Sequence, residues 1–372
     1  MIVDARQERG QAIANHEGQV VRLDEFSYEV KSQSGNGDYA VLSTERGWMC
    51  SCPDHIYRDA KCKHIWAVEL SLLLRKIVAS QPAVIQPISV KNCPYCKSEA
   101  IIKKSVRRNK GYSIQRFGCK SCGKRFSFNL GFEGMRATPQ VITSAMQLYF
   151  TGESFRGVRN VLRLQGANFS HQAVYGWVRK YTGLMESYLE QIKPQLGDTW
   201  RTDEMFVKIR GNRKYLFAMM DDETRFRIAQ MVSTHKGTSD VRPMFREALE
   251  VAGKKPKVLI SDGAHNFHRA YNKEYWTHFN PRPSHVRDIR LGGEVHNNKM
   301  ERQNGEWRDR EKVMRGLKRE DSPVLKGLQI FHNYFRPHEG LNGRTPAEAA
   351  GIKIEGENKW ITVIQNASRK VG

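Results

Sequence analysis

The sequence of 372 residues predicts a multidomain protein of mixed α+β and α/β class, ending in a domain built on a mixed five-stranded sheet with helices. Three observations predict it. Seven cysteines and a histidine before residue 123 fall into two quartets with metal-ligand spacing. Apolar residues then recur at helical spacing between Thr138 and Ile192. From Thr199 the periodicity becomes that of strands, followed by a helical stretch and a short apolar strand. The expected segments are 1–80 and 88–132 around the two quartets, 135–192 for the helices, 197–352 for the sheet domain and 353–372 as a C-terminal tail.

The first quartet reads Cys50-x-Cys52, nine residues, then Cys62-x-His64. The second reads Cys93-Pro-Tyr-Cys96, twenty-two residues, then Cys119-Lys-Ser-Cys122. Short pairs let one turn present two ligands to one zinc ion, and four protein ligands leave no open position, so both sites are expected to be structural. Disulfides are disfavoured by the odd number of cysteines and by an N-terminus, Met1 to Gly10, without the apolar core of a secretory signal. The first quartet resembles the SWIM zinc finger, with strand-like segments before it (Phe26 to Val30, Tyr39 to Leu42) and a helix after it (Ile65 to Ile77). That resemblance implies binding to DNA or protein without choosing between them. His55, inside the spacer, is set aside in favour of His64 beside Cys62. The second quartet reads as a zinc ribbon.

Charge points to the partner. The formal net charge is +22, yet residues 1–48 carry 5 basic against 8 acidic residues, leaving +25 on the rest. Residues 91–136 alone hold 12 basic and 2 acidic residues. A concentrated positive field favours a polyanion, because binding a phosphate backbone releases condensed counterions; the bland alternative is a solvated surface. Lys103, Lys104, Arg107, Arg108 and Lys110 in the ribbon loop are the candidate phosphate contacts. Tyr112, Phe117, Phe126 and Phe128 beside them read more readily as a small core than as a stacking platform. No apolar run approaches the ~20 residues of a membrane span; the longest, Ile65 to Leu74, is interrupted by Glu69. These features predict a cytoplasmic, nucleoid-associated protein, or a nuclear one in a eukaryotic host.

In 135–192, Thr138 precedes Pro139, a second helix spans Ser154 to Leu164, and Gly166-Ala-Asn-Phe leads to Ser170 as the N-cap of a third ending near Tyr181. Helix, helix, short turn, helix is the helix-turn-helix arrangement. His171, Gln172, Tyr175 and Arg179 would face a DNA groove, with Val174 and Trp177 in the core. Three-helix segments that bind nothing are common, so the neighbouring basic ribbon carries much of this reading.

Thr199 to Ile209 alternates, Gly211-Asn212 reads as a hairpin turn, and Lys214 to Met220 and Phe226 to Ser233 supply two more strands. A helix (Ser239 to Val251) and a buried strand, Val258-Leu-Ile, lead to Ser261-Asp262. Three antiparallel strands, a helix and a parallel strand open a ribonuclease-H-like fold. Asp203 sits in an apolar stripe, where a lone carboxylate wants a cation. Asp262 follows the carboxyl end of an apolar strand, where open α/β sheets place ligands. Either acid alone is more often a turn or salt-bridge residue, so a third matters. Glu301 is that candidate, one helical turn after Asn297, with Arg308 and Lys312 continuing the face. His265, His268 and His285 read as groups partnered in the fold or exposed, while His338, after Arg336-Pro337, could approach DNA as readily as cap or pack.

The segment from about Gly197 to Ile352 resembles the DDE transposase and retroviral-integrase superfamily. It is most similar to the insertion-sequence-six family and relatives with an attached zinc ribbon. The matching pieces are Thr202-Asp203-Glu204, Tyr215 to Asp221, Ser261-Asp262-Gly263, Asn298 to Glu301, His332-Asn-Tyr-Phe-Arg-Pro-His338 and Arg344-Thr-Pro-Ala-Glu348. The resemblance implies Asp203, Asp262 and Glu301 as a metal-binding triad, Arg308 as a basic partner and Asp221 as a strand-end residue. The spacer of 38 residues between Asp262 and Glu301 is a few longer than usual in that family, which keeps Glu294 and Glu306 as alternatives. Glu294 lacks the setting of Asn297 and Glu301, and Glu306 lies on another helical face.

Three carboxylates suit Mg²⁺, with Mn²⁺ as the substitute ion, and two such ions can drive phosphodiester cleavage and joining. The expected function is therefore a DNA transposase that acts on transposon ends and target DNA as a homodimer or higher oligomer. A DNA-binding regulator derived from such an enzyme is the alternative, and a structure-specific nuclease of the same fold is a third reading.

Overall fold

The computed structural model describes residues 5–370 except 17, 24–25, 34, 36, 45–46, 81, 110–111, 128, 279–281, 288–296 and 315–316. The chain divides into two compact units, Met1–Pro82 and Ala83–Gly372. Among the described residues no helix is long and apolar enough to cross a membrane.

In the first unit, α1 (Ala5–Ala14) precedes an antiparallel sheet of β1 (Val20–Arg22), β2 (Ser27–Lys31), β3 (Asp38–Thr44) and β4 (Gly47–Cys50), in sequential order. Alternation along β2 buries Tyr28 and Val30 and turns Lys31 outward. After α2 (Pro53–Arg58), α3 (Lys63–Ser80) closes over that face with Ile65, Ala67 and Val68, and the first cysteine quartet lies in the same core.

The second unit opens with β5 (Ala83–Ile85) and the three-stranded sheet of β6 (Ile101–Asn109), β7 (Tyr112–Cys119) and β8 (Arg125–Ser127). Helices α4 (Pro139–Thr151), α5 (Phe155–Leu164) and α6 (His171–Leu189) follow. Thr138, Ser154 and Ser170 cap them by accepting hydrogen bonds from the backbone of Val141, Gly157 and Ala173. Helix α6 runs past its expected end at Tyr181, because Thr182, Met185 and Leu189 continue its buried face.

Strands β9 (Thr199–Ile209), β10 (Asn212–Asp221) and β11 (Arg227–Ser233) pair antiparallel. After α7 (Thr238–Ala252), β12 (Val258–Ile260) adds parallel to β9, and after α8 (His265–Glu274), β13 (Ser284–Val286) adds parallel to β12. The order β11-β10-β9-β12-β13 is the mixed five-stranded sheet that the sequence predicts. The β9–β10 turn sits at Arg210–Gly211, one residue earlier than expected. Both residues have positive φ, 51° and 84°, which a two-residue hairpin turn matched to strand twist requires. Phe217 packs against Phe267 of α8 on one face of the sheet. On the other, Ala218 and Met220 meet Met300 of α9 (Asn298–Met314).

The chain closes with α10 (Pro323–Ile330), a π-helical turn at Phe331–Phe335, α11 (Pro346–Ala349), β14 (Ile352–Ile354) and α12 (Lys359–Lys370). The expectation of a tail at 353–372 is corrected. Strand β14 pairs in parallel with β5, and Trp360, Val363 and Ile364 of α12 enter a core that extends from Ile85 through α4–α6 to the sheet. Apolar residues at helical spacing in α12 give it a face to bury. Arg344-Thr-Pro-Ala-Glu348 is a capping box, in which Thr345 and Glu348 satisfy each other's backbone N–H groups.

Candidate active site

The acids meet because of strand register. Ile260 on β12 lies opposite Arg201 on β9, so Asp262, two residues beyond, comes level with Asp203. Glu204 is the next residue on β9 and leaves the sheet on the other side, toward Lys236, whose Nζ is 4.0 Å from its carboxylate. One carboxylate oxygen from each of Asp203, Glu204 and Asp262 lies within 4.8 Å of the others, so the three could hold a metal ion. Burial, together with the negative fields of Asp262 and Glu301, raises Asp203 to about 6, against hydrogen bonds from the Glu204 backbone and Asn304. Burial and the fields of Asp262 and Asp203 raise Glu204 to about 7. Glu204 Oε2 is buried without a hydrogen-bond partner. Carboxylates crowded at this distance with an orphaned oxygen fit a divalent cation.

Sequence reasoning did not single out Glu204. The signal was present in two consecutive acids within an apolar strand, since alternation sends one to each side and only the three-dimensional position of Asp262 reunites them.

Helix α9 supplies the wall above Asp203. Asn304 donates from Nδ2 to Asp203 Oδ2 at 2.8 Å. Glu301, one turn earlier, is exposed; it contributes to the field on Asp203 but stands outside the tight group of three. Arg308 is exposed one turn further on, and Lys312 pairs with Asp309 at 2.8 Å. Lys299 donates to Asp222 at 2.9 Å, and Arg201 also pairs with Asp222, so the helix start is tied to the ends of β9 and β10. Glu306 is bound by Arg336 on another face of the helix, and Glu294 lies outside the described residues. Asp221 is fully buried and accepts from the backbone and hydroxyl of Thr224, a strand-end role as expected. His285 approaches Ser261 at 2.9 Å and His268 at 3.3 Å, and burial lowers it to about 4.

A family model described as a DDE domain matches residues 197–338, the span that carries all four acids. This segment is similar to a DDE domain, and the rest of the chain lies outside the match. Similar curated proteins are the transposase for insertion sequence-like element IS431mec and the transposase for insertion sequence element IS257 in transposon Tn4003, both from Staphylococcus aureus. Each is 33% identical over 84 residues, which is 22% of this chain and 38% of the relative. The chain thus spans well under half the length of the curated relatives it matches. Similar solved structures are those of the HTLV-2 integrase catalytic core domain in complex with magnesium. The trimeric form is 17% identical, with a TM-score of 0.31, 42% of this chain and 99% of that chain. The dimeric form is 13% identical, with a TM-score of 0.32, 42% of this chain and 98% of that chain.

Outside the matched segment, the structure gathers both cysteine quartets, each with its ligand atoms within 4.8 Å of one another. His64 Nδ1 lies 3.8 Å from Cys50 Sγ and 3.9 Å from Cys62 Sγ, while His55 turns its Nδ1 to the carbonyl of Ala60 at 2.9 Å. Tyr39 stacks on the His64 ring. In the second quartet Cys93 and Cys122 Sγ are 3.7 Å apart and Cys96 and Cys119 Sγ 3.5 Å apart. Zn–S bonds of ~2.3 Å in a tetrahedron place sulfurs about 3.8 Å apart, so the set fits such an ion. Lys103, Lys104 and Arg107 are exposed on β6; Lys110, Phe128 and the side chains of Arg108 and Tyr112 lie outside the described residues. Phe117 stacks on Phe126, with Tyr95 at the edge of Phe126; the two phenylalanines are half-buried and Tyr95 is exposed. On α6, Gln172, Tyr175 and Arg179 form an exposed row with His171 half-buried at its start, while Val174 and Trp177 are buried.

Proposed function

We propose that the chain is a DNA transposase that binds the terminal inverted repeats of a mobile element and cuts and joins DNA strands. The observation that carries this reading is the register that brings Asp262 level with Asp203 inside a segment similar to a DDE domain, beneath a helix that carries Glu301 and exposed cations. Asp203, Asp262 and Glu301 would hold two Mg²⁺ ions, with Glu204 as a fourth carboxylate. When bound, such ions activate a water or 3′-hydroxyl and neutralise charge at the leaving oxygen. Asn304 orients Asp203 by its hydrogen bond. Arg308 and Lys312, further along the face of α9 that carries Glu301, would meet flanking phosphates, so that chemistry rests on positioning and charge rather than on a covalent nucleophile.

The two quartets would hold structural zinc, the first as a SWIM-type finger and the second as a ribbon. Lys103, Lys104, Arg107, Arg108 and Lys110 would contact DNA phosphates. Gln172, Tyr175, Arg179 and His171 would be offered to a groove by a helix-turn-helix. Holding two element ends at once calls for a homodimer or larger assembly acting on DNA in the cytoplasm.

The deciding experiment is a strand-transfer assay on duplex DNA carrying the element's ends, with Mg²⁺, comparing wild type and Glu301→Gln. Joined products from wild type alone are expected. Products from both proteins would move the third acid elsewhere. Binding without products from either would overturn the enzyme and favour a regulator.

A further inference from the structure

The side of α9 turned away from the acids borders a cavity of about 600 Å³. At about 100° per residue, Asn297, Glu301, Asn304 and Arg308 share one side of the helix, and Lys299, Arg302 and Glu306 lie on the opposite one. The remaining wall comes from Arg225, between β10 and β11, and from the His332–Gly340 segment.

This wall is basic in a particular way. Lys299 is neutralised by Asp222, and Arg336 by Glu306. Among the described residues, Arg225 and Arg302 have no carboxylate within 4.0 Å. The Arg225 guanidinium lies against Gly340, where a Cβ would stand 2.1 Å from its Nη2, so the close approach depends on glycine. His332 is 2% exposed, its Nε2 engaged with the Arg225 carbonyl at 3.0 Å and the Gln303 amide at 2.9 Å, and its Nδ1 has no partner. His338 Nε2 is likewise buried and unpartnered, with the two rings 4.8 Å apart. Two guanidiniums without a carboxylate within 4.0 Å and the rings of His332 and His338 thus line one cavity, whose wall also carries Glu339. Burial first, and then the neighbouring Arg336, Arg225 and Arg302, hold His338 down to about 4.

We infer that this cavity binds a phosphate group and, on the reading of the chain as a DNA transposase, that the phosphate is a backbone phosphodiester of a strand lying across α9. Guanidiniums are strong partners for phosphate oxygens, because their planar fork of N–H donors matches the phosphate and keeps its charge at any pH. A helix is ~10–12 Å across with its side chains, roughly three nucleotides at about 3.4 Å each. One strand can therefore place one phosphate at the acids and another in the cavity. The cavity sets where along the strand the acids act.

The test uses the full chain. Fluorescence anisotropy without divalent metal would follow binding of a labelled duplex by wild type, Arg225→Gln/Arg302→Gln, the exposed single change Arg302→Gln, and Arg225→Lys/Arg302→Lys. The inference expects the double glutamine variant to bind about 10-fold or more weakly, with the slope of log affinity against log salt reduced by about 1 to 2. Arg302→Gln should fall between, and the lysine pair should recover the slope at an unchanged melting temperature. A parallel thermal-shift series with inorganic phosphate separates the sources. Stabilisation by phosphate that vanishes in the glutamine variants, with DNA affinity unchanged, would assign the cavity to a free phosphate. The same result in a wild type that binds no DNA would keep the anion site and sink the transposase reading. Wild-type affinity and slope in Arg302→Gln and the double variants, with no phosphate-dependent stabilisation, would overturn the inference.

Discussion

Asn304 on α9 holds Asp203 on β9 through a hydrogen bond of 2.8 Å, and both groups are shielded from bulk water. A helix side chain thereby fixes the rotamer of a carboxylate that strand geometry alone leaves free to turn. Its other amide atom, Oδ1, is buried without a partner, so the residue is kept for its donor. Replacing it by leucine keeps the volume and removes the donor. Asn304→Leu is expected to slow single-turnover strand cleavage by roughly 10- to 100-fold while leaving DNA affinity unchanged, because positioning matters in the transition state. Equal rates in the two proteins would show that Asp203 is held by other means.

The raised acids give the metal-free protein a distinctive pH response. Asp203 moves from 3.8 to about 6 and Glu204 from 4.5 to about 7, so the folded state keeps protons that the unfolded chain has lost. Stability from these two groups therefore falls as pH rises from about 4 to about 7, by roughly 1–3 kcal/mol each. Thermal denaturation in chelator should show wild type losing more stability between pH 5 and 7.5 than Glu204→Gln does. Added Mn²⁺ should reverse the loss, more strongly at the higher pH, with affinity lower in Glu204→Gln than in wild type. Identical pH profiles for both proteins would remove Glu204 from the coupled group.

The two quartets differ in exposure, and that sets an order of metal loss. Cys50, Cys52, Cys62 and His64 are all buried, whereas Cys96 is exposed and Cys122 half-buried. Purified protein is expected to release two zinc ions per chain when its thiols are modified, the second quartet yielding first. Cys93→Ser should leave one ion, released at the slower rate, and Cys62→Ser one released at the faster rate. A single ion in wild type would remove one quartet from the zinc sites.

Legibility followed the range of each interaction. Thr138, Ser154 and Ser170 could be read as caps because a cap is satisfied three residues away. The cysteine pairs could be read because two ligands sit on one turn. Strand patterning gave four of the five strands, with β13 implied only by the expected ribonuclease-H-like fold, and spacing from an apolar strand gave Asp262. Glu204 escaped because its partner stands on another strand, and the length of α6 because its last turns are held by distant helices. The hairpin slipped by one residue because Arg210 takes a positive φ that composition does not advertise.

The last eighteen or so residues escaped for the same reason, and they carry the most direct stability test. Trp360 of α12 stacks on Phe335 with ring centroids 3.7 Å apart and planes 7° from parallel, and it donates to Gln147 of α4 at 2.9 Å. It is 6% exposed, so truncation removes a large apolar contact and opens a cavity between the sheet domain and the helical segment. Trp360→Ala is expected to cost about 3–5 kcal/mol in urea unfolding. Because the ring belongs to a core that runs from α4 to α12, the loss should appear as one cooperative transition at lower urea. A loss below ~1 kcal/mol would instead mean that α12 docks weakly, and that the segment behaves as the tail its sequence suggests.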